Sequence, residues 1–549
     1  MPVVHVYNEE LFPGICVRQS VVVRTIRDGQ EIRLKKFAFK ESRGLHPQRQ
    51  VMHKPFLLTD LALVLFCVAC GNGLKAGFGN STIGNFTNAS LSGSYAYEIN
   101  GYDINAGTFF REAGVFTADG KGGISAGEDD LTEGSTVSSN STSGSYSVSA
   151  NGTGTLTINL NTTGSGISFA LTVVNSSKAY LSVNAVANSA PVNGSGVAVL
   201  QTASALSSVP SGTFVFTQHN VSTSQGSSAS VGRFTVSGGA VAGNEDVNRA
   251  GALNSLTITG GLFNAPDASG RGTGNFVDSL GVTSGFFYYV VDSTHLFFLA
   301  NPAASSGTSA TGIGLGQAVG QSGSFTTSTF SGGYAFSSRA DDSFSVDGLN
   351  TVGSFTAGGD GTISAGLLDS DQDGAPTASP VAFTGSYTMA SNGRAVVTIN
   401  PSGGSSYQQF FWMASPSQAF FLTNDATIEE DGVAKAQQVA SLSNSTLNGQ
   451  FGLVMGGYNP AGAFDRVGTL HWDGKGNLSL NEFANSAGFS QTPGLLSGSY
   501  SVATGTNGRV TGSINTVSNS FVFYMISSSE GYILQNDSNT EISGDMSQQ

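Results

Sequence analysis

From residue 91 onward, apolar and polar positions alternate. Tyr95, Tyr97 and Ile99 are interleaved with Ser94, Ala96 and Glu98, and Leu156, Ile158 and Leu160 with Thr157 and Asn159. A period of two marks antiparallel strands that turn one face to a core. Between the alternating runs stand Asp119-Gly120, Asn151-Gly152, Asp360-Gly361, Asn392-Gly393, Asp473-Gly474 and Asn507-Gly508. These dipeptides supply the positive φ that tight hairpins require. The first stretch predicts eight strands, near 93–100, 108–118, 122–129, 143–149, 153–160, 166–174, 178–184 and 194–201. No segment sustains a 3.6-residue period, so helix should be scarce.

The pattern recurs four times. A Gly followed two residues later by an aromatic occurs at Gly93-Ser-Tyr95, Gly212-Thr-Phe214, Gly332-Gly-Tyr334 and Gly449-Gln-Phe451. A second anchor reads Gly114-Val-Phe116, Gly232-Arg-Phe234, Gly353-Ser-Phe355 and Gly468-Thr-Leu470, and a third begins at Gly144, Gly261, Gly385 and Gly498. A fourth is an apolar strand ending in Asn184, Asn301, Asn424 and Asn536, and each copy closes near a glutamine, Gln201, Gln317, Gln437 or Gln548. The predicted fold is all-β: four tandem antiparallel units of about eight strands, each an up-and-down, lipocalin-like barrel or a sandwich. The barrel is favoured because closure removes exposed strand edges. Late strands such as Phe286-Phe-Tyr-Tyr-Val-Val291 and Phe521-Val-Phe-Tyr-Met525 are apolar on both faces. One face fills a unit, and the other is expected to pack on a neighbouring unit.

Composition narrows the class. Of 549 residues, 11% are charged and 74 are Gly, while 39% are hydrophobic. That excludes a coiled coil and leaves ample apolar material for packed cores. The formal net charge is −14. The first 54 residues are nonetheless basic, so the remainder is more acidic still and repels nucleic acid. Residues 202–211, 318–331 and 438–447 are rich in Ser, Thr and Ala and are expected to be linkers unable to fold alone.

The basic head leads into an export signal. Met52-His53-Lys54 precedes an apolar run from Leu61 to Ala69, too short to span a bilayer, and then Cys70-Gly71-Asn72. Val68-Ala69-Cys70 resembles a bacterial lipobox, with Cys67 and Asp60 departing from the pattern. The resemblance implies a lipidated Cys70 as the first mature residue. The organisation expected is a misassigned or disordered extension over 1–51, a signal peptide over 52–69 and a lipid-anchored tether over 70–90. Four β-units follow over 91–201, 211–317, 331–437 and 447–549. Cys16, Cys67 and Cys70 are the three cysteines, so the body has no disulfide.

Thr117-Ala-Asp-Gly120, followed by Glu128-Asp-Asp130, resembles the tandem Gly-x-Phe-Thr-Ala-Asp-Gly repeats of uncharacterised exported bacterial lipoproteins. That resemblance implies an outer-membrane or secreted address and no defined activity. Catalytic constellations are not evident. Gly123-Ile-Ser-Ala-Gly127 matches GxSxG but follows a hairpin turn rather than ending a strand before a helix. His219, His295 and His471 occupy unrelated positions in different copies. Asp369-Ser-Asp371-Gln-Asp373-Gly374 has the start of a calcium loop, with Pro380 where the twelfth-position acid belongs. Asp369, Asp371 and Asp373 are therefore candidate ligands of a weak calcium site, and no other cofactor is expected. The expected function is a non-enzymatic surface lipoprotein for adhesion, envelope structure or interaction. Its partners would be the membrane, through the N-terminal lipid, and a surface protein or glycan, with no nucleic acid. The alternative is a transport protein whose barrels hold small apolar ligands; packed or hollow interiors discriminate the two.

Overall fold

The computed structural model describes residues 85–549, apart from 135, 162–165, 185–190, 222–226, 250, 308–311, 343–347, 439–441, 492–493, 504, 506, 516–518 and 539, together with three short strands near the N-terminus. The chain divides into two units, 1–77 and 78–549. In the first, Val3–His5, Val22–Arg27 and Gln30–Arg33 form an antiparallel three-stranded sheet. The signal-like run and Cys70 lie outside the described residues.

The second unit consists of four closed, antiparallel, eight-stranded barrels. In the first, the strands are Ser92–Asp103, Thr108–Asp119, Gly123–Glu133, Thr136–Val148, Thr153–Leu160, Gly166–Asn175, Lys178–Val183 and Val192–Leu200. The eighth pairs with the first, Val197 opposite Glu98, which closes the cylinder. The other three run from Gly212–Val221 to Ile313–Gly320, from Ser331–Asp342 to Ile428–Ala436, and from Asn448–Asn459 to Glu541–Gln548. The fourth strand of the first barrel starts at Thr136, earlier than the alternation suggests. Its polar Ser/Thr/Asn stretch continues a long hairpin with the third strand, and the Ser139 hydroxyl donates to Asp130.

The repeated glycines have two separate causes. Gly93, Gly212, Gly332 and Gly449 open the first strands at φ of +118°, +121°, +97° and +133°, a region L side chains rarely adopt. Gly114, Gly232 and Gly353 lie opposite Tyr97, Phe216 and Phe336, and a Cβ there would come within 2.7, 2.6 and 2.4 Å of those rings. The aromatic ring occupies the space a side chain would need.

Each interior is filled. Tyr95 stacks on Phe116, Phe214 on Phe234 and Tyr334 on Phe355, each pair 5.4 Å between ring centres, and in the fourth barrel Phe451 meets Trp472 at 6.1 Å. Fully burying such a side chain contributes about 1.5–3 kcal/mol. One end of each barrel is stoppered by a short 3₁₀ turn, at Asn88–Ser90, Ala203–Ala205, Thr327–Thr329 and Asn444–Thr446. Leu91, Leu206, Phe330 and Leu447 enter the cores just after these turns. This corrects the linker reading: the connecting segments, and the last residues of the expected tether, are part of the barrels they precede. Tyr146, Tyr387 and Tyr500 hold three stoppers by donating to the carbonyls of Leu91, Phe330 and Leu447.

The barrels form a closed ring. The first two strands of each pack against the sixth and seventh strands of the next. Ala96 and Val115 meet Tyr289 and Phe297; Val215 and Val231 meet Trp412 and Phe420; Ala335 and Val352 meet Tyr524 and Tyr532. The last seam joins the fourth barrel to the first, with Val454 and Val467 against Val174 and Tyr180. The second apolar face of the late strands is thus consumed in seams. A head-to-tail contact that repeats with rotation closes into a ring, and here it does so after four copies.

A glutamine after each eighth strand fastens every seam. The Gln201 amide donates to the carbonyls of Ser269 and Val290, Gln321 to Asn392 and Met413, and Gln437 to Asn507 and Met525. Gln549 donates to Val173 and, at 3.5 Å, to Asn151. Two of the four glutamines expected from sequence are thereby replaced. Gln317 and Gln548 lie within eighth strands, and Gln321 and Gln549 hold the equivalent places.

Candidate functional site

Three seams share one buried polar device. Asp130, from the third strand of the first barrel, takes two hydrogen bonds from Arg271 of the second, at 2.6 and 2.8 Å, and one from the Tyr289 hydroxyl. At the next seam Asp246 takes bonds of 2.8 and 2.7 Å from Arg394 and one of 2.8 Å from the Trp412 indole. At the third, Asp369 takes bonds of 2.7 and 2.8 Å from Arg509 and one of 2.7 Å from Tyr524. All three carboxylates are excluded from solvent, so the bidentate guanidinium is what makes their burial tolerable. By strand register, the fourth seam has Phe483, Thr153 and Thr172 at these places.

Asp369 is one of the three residues read as calcium ligands. Its carboxylate faces the fourth barrel and is engaged by Arg509 and Tyr524. Asp371 lies two residues along the same strand, also buried, at the edge of the same seam. Asp373 occupies the following turn at φ +54°, and its amide donates to Glu541. The structure does not gather the three carboxylates around one point, and no metal-competent group of three His, Cys, Asp or Glu is found among the described residues. The pairing of Asp369 with a residue 140 positions later could not be read from the linear motif. Ser125 of the GxSxG match lies inside the strand Gly123–Glu133, without the strand-to-helix elbow.

Where the four barrels meet, they line a half-open cavity of about 670 Å³, within the usual range for small-molecule sites. Its walls come from the first, seventh and eighth strands of every barrel. Strand register makes the lining four-fold in position but not in chemistry. One set of equivalent first-strand places carries Glu98, Thr217, Ser337 and Val454; the set two residues on carries Asn100, His219, Arg339 and Gly456. On the eighth strands Val197, Gln317, Val433 and Asp545 are equivalent, as are Ser195, Leu315, Asp431 and Ser543. No single sequence signal marks these as a set, because each is an ordinary outward position of its own barrel.

Some of these charges are paired in place. Asp431 accepts from the Thr217 hydroxyl at 2.6 Å and meets His219 Nδ1 at 2.8 Å. Lys435 donates to Glu530 at 2.6 Å. Lys178 lies 4.7 Å above the Tyr180 ring. Burial pushes the Glu98 carboxyl up to about 7 against the opposing pull of Arg339. Burial lowers His295, which favours its neutral form. The cavity thus presents cations, carboxylates and amides side by side with apolar groups such as Val197, Leu315, Val433 and Val454.

No protein-family model and no curated protein matches this sequence. Solved structures similar in part include a double mutant of the vaccine antigen Transferrin Binding Protein B from Haemophilus parasuis Hp5, at 9% identity over 62% of this chain and 75% of that one, with a TM-score of 0.18. Intact Ap-TbpB, with its N and C lobes, aligns at 9% identity over 83% of this chain and 95% of that one, TM-score 0.17. Kievitone hydratase from Nectria haematococca aligns at 8% identity over 63% and 91%, TM-score 0.17. Likeness at this level brings no function to the chain.

Proposed function

We propose that this chain is a non-enzymatic interaction protein of the bacterial cell envelope, a ring of four β-barrels held to the membrane by a lipid on Cys70. The observation that carries the reading is the distribution of polarity. Most of the large apolar side chains are spent in four cores and four seams, and chemically unlike polar side chains from all four copies converge, among apolar ones, on one central cavity. That arrangement suits a small polar ligand at the centre and a surface protein or glycan at the rim.

Lipocalin-like storage of apolar ligands inside the barrels is disfavoured by packing. The space among Leu453, Phe521 and Phe523 in the fourth barrel is about 10 Å³, and that at the polar end of the second about 40 Å³. Each is far below the few hundred Å³ a ligand needs.

Two experiments test the proposal. Protein made in a host with lipoprotein processing should yield an acylated Cys70 peptide; an unmodified chain retaining residues 1–51 would refute the anchor. Native mass spectrometry against small polar metabolites should reveal a ligand whose binding falls at least tenfold in Arg339→Ala or Asp545→Ala. Ligands unaffected by both would move the site off the cavity.

A further inference from the structure

The central cavity departs from four-fold symmetry at two places of opposite charge. On the first strands, Arg339 stands where the other barrels have Asn100, His219 and Gly456. It belongs to the third barrel. It also lines a space of about 40 Å³ whose other walls all come from the first and fourth barrels, among them Ser195, Gly456 and Asp465. The side chain thus reaches across the middle of the ring, and Gly456, at the equivalent place in the fourth barrel, has no side chain to meet it. Among the described residues the Arg339 guanidinium makes no hydrogen bond and no ion pair. Its five N–H donors are unspent.

Glu98 of the first barrel is the opposite pole. Its equivalents are Thr217, Ser337 and Val454, so it is the one carboxylate of that set. Arg339 pulls on its charge from across the cavity. The two do not pair, and the Glu98 carboxylate has no hydrogen-bond partner among the described residues. Elsewhere in the same cavity opposite charges are joined: Asp431 meets His219 at 2.8 Å, and Lys435 meets Glu530 at 2.6 Å. Tyr532 adds a hydroxyl without a partner on a side chain only 1% exposed, in the same wall.

A guanidinium and a carboxylate that face each other unjoined select among ligand classes. A dicarboxylate would satisfy Arg339 and be repelled by Glu98; a diamine would do the reverse. A neutral sugar would leave both without a counter-charge. A molecule carrying a carboxylate and an ammonium together meets both with charge-assisted bonds. We propose that the central cavity binds a zwitterion of the α-amino acid class, its carboxylate on the Arg339 guanidinium and its ammonium on Glu98; this rests on the reading of the cavity as a ligand site. Val197, directly opposite Glu98 in the strand ladder, and Val433 and Val454 on the same level give its side chain an aliphatic wall.

The test is titration calorimetry on the full chain, with L-leucine and each of the other common L-amino acids as probes. The best-bound amino acid should lose at least tenfold in affinity when either charged group is deleted from it; for leucine the analogues are isopentylamine and isocaproate. Arg339→Ala and Glu98→Gln should each weaken it by about ten- to hundredfold, in variants whose scattering profile matches the parent's. If no amino acid binds, or if the amine or the acid alone binds as well, the proposal is overturned. If glutarate or putrescine binds instead, and falls at least tenfold in Arg339→Ala or Asp545→Ala, the cavity remains the ligand site and only the class proposed here is wrong. An amino acid that binds both variants unchanged sits elsewhere, and overturns this proposal together with the reading it rests on.

Discussion

Replacing Asp369 by Ala is the sharpest test of what holds the ring together. The substitution removes the acceptor of two charge-assisted bonds, 2.7 and 2.8 Å from Arg509, and of a third at 2.7 Å from Tyr524. The Arg509 side chain is 12% exposed and the carboxylate wholly enclosed. The variant therefore strands a mostly buried guanidinium, at a cost of about 3–5 kcal/mol. The orphaned Tyr524 hydroxyl is part of the same deficit and does not add to it independently. With several barrels, global unfolding is not two-state, so the assay should be local. The Gln438 amide bonds the Ile526 carbonyl across this seam, and its exchange protection should fall by about two to three and a half decades, at 1.4 kcal/mol per decade. The double variant with Arg509→Ala should recover part of the loss, giving a coupling of about 2–4 kcal/mol. A loss under fivefold, or additivity in the cycle, would refute the ion-pair reasoning. A calcium-dependent stabilisation abolished by the single variant would instead assign Asp369 to a metal.

Other outcomes follow from the same geometry. Gly232→Ala should cost more than about 2 kcal/mol, because its Cβ would lie 2.5 Å from the Asn244 carbonyl oxygen and 2.6 Å from the Phe216 ring; the thermal midpoint and soluble yield report it. Gln321→Ala removes bonds of 2.9 and 2.8 Å to Asn392 and Met413, and exchange at the Ser322 amide, bonded to Ala414, should rise by about tenfold or more. Asp246→Ala should open the seam that buries Trp412 and shift its emission to the red, with Trp472, inside the fourth core, unchanged.

Strand positions, hairpin turns and the count of four units were legible because each is a local pattern. Alternation of Tyr95, Tyr97 and Ile99 sets a face, and Asn-Gly sets a turn. The double apolar character of Phe286–Val291 correctly pointed to packing between units. What was not legible depends on pairing across distance. Asp369, Asp371 and Asp373 read as one loop in line, yet the strand carries Asp369 to an arginine of another barrel and leaves Asp371 beside Glu541. The linkers were misread for a related reason. Leu206, Phe330 and Leu447 are isolated large apolar residues among small and polar ones, and only the open mouth of a barrel makes each one a stopper. The central cavity was invisible because its walls are the solvent-facing alternates of four separate barrels.

The asymmetry of the seams follows from connectivity. Three seams join barrels tied by a linker of about a dozen residues, whereas the fourth joins the two ends of the array. The closing loop is roughly thirtyfold longer, which for a flexible chain would cost about 3 kcal/mol more to close. The fourth seam lacks the Asp–Arg pair and has a denser set of neutral crosslinks in its place. Asn193 and Asn485 bond reciprocally across it, to the Asn485 carbonyl in one direction and to those of Val183 and Val192 in the other. The Gly488 amide donates to Asn193, Gln450 to the Asn151 carbonyl, and Gln549 to Val173. At about 0.5–1.5 kcal/mol net for each such bond, these offset the longer loop without burying an ion pair whose desolvation would have to be met before the ring is shut. Asn485→Ala should therefore loosen the ring more than Asn248→Ala, since no linker holds the parted barrels near each other; Asn248 donates likewise to the carbonyls of Asp425 and Ile428 in the next barrel. Small-angle scattering should show the Asn485→Ala particle larger than the Asn248→Ala one, and equal dimensions would show that closure does not depend on these amides.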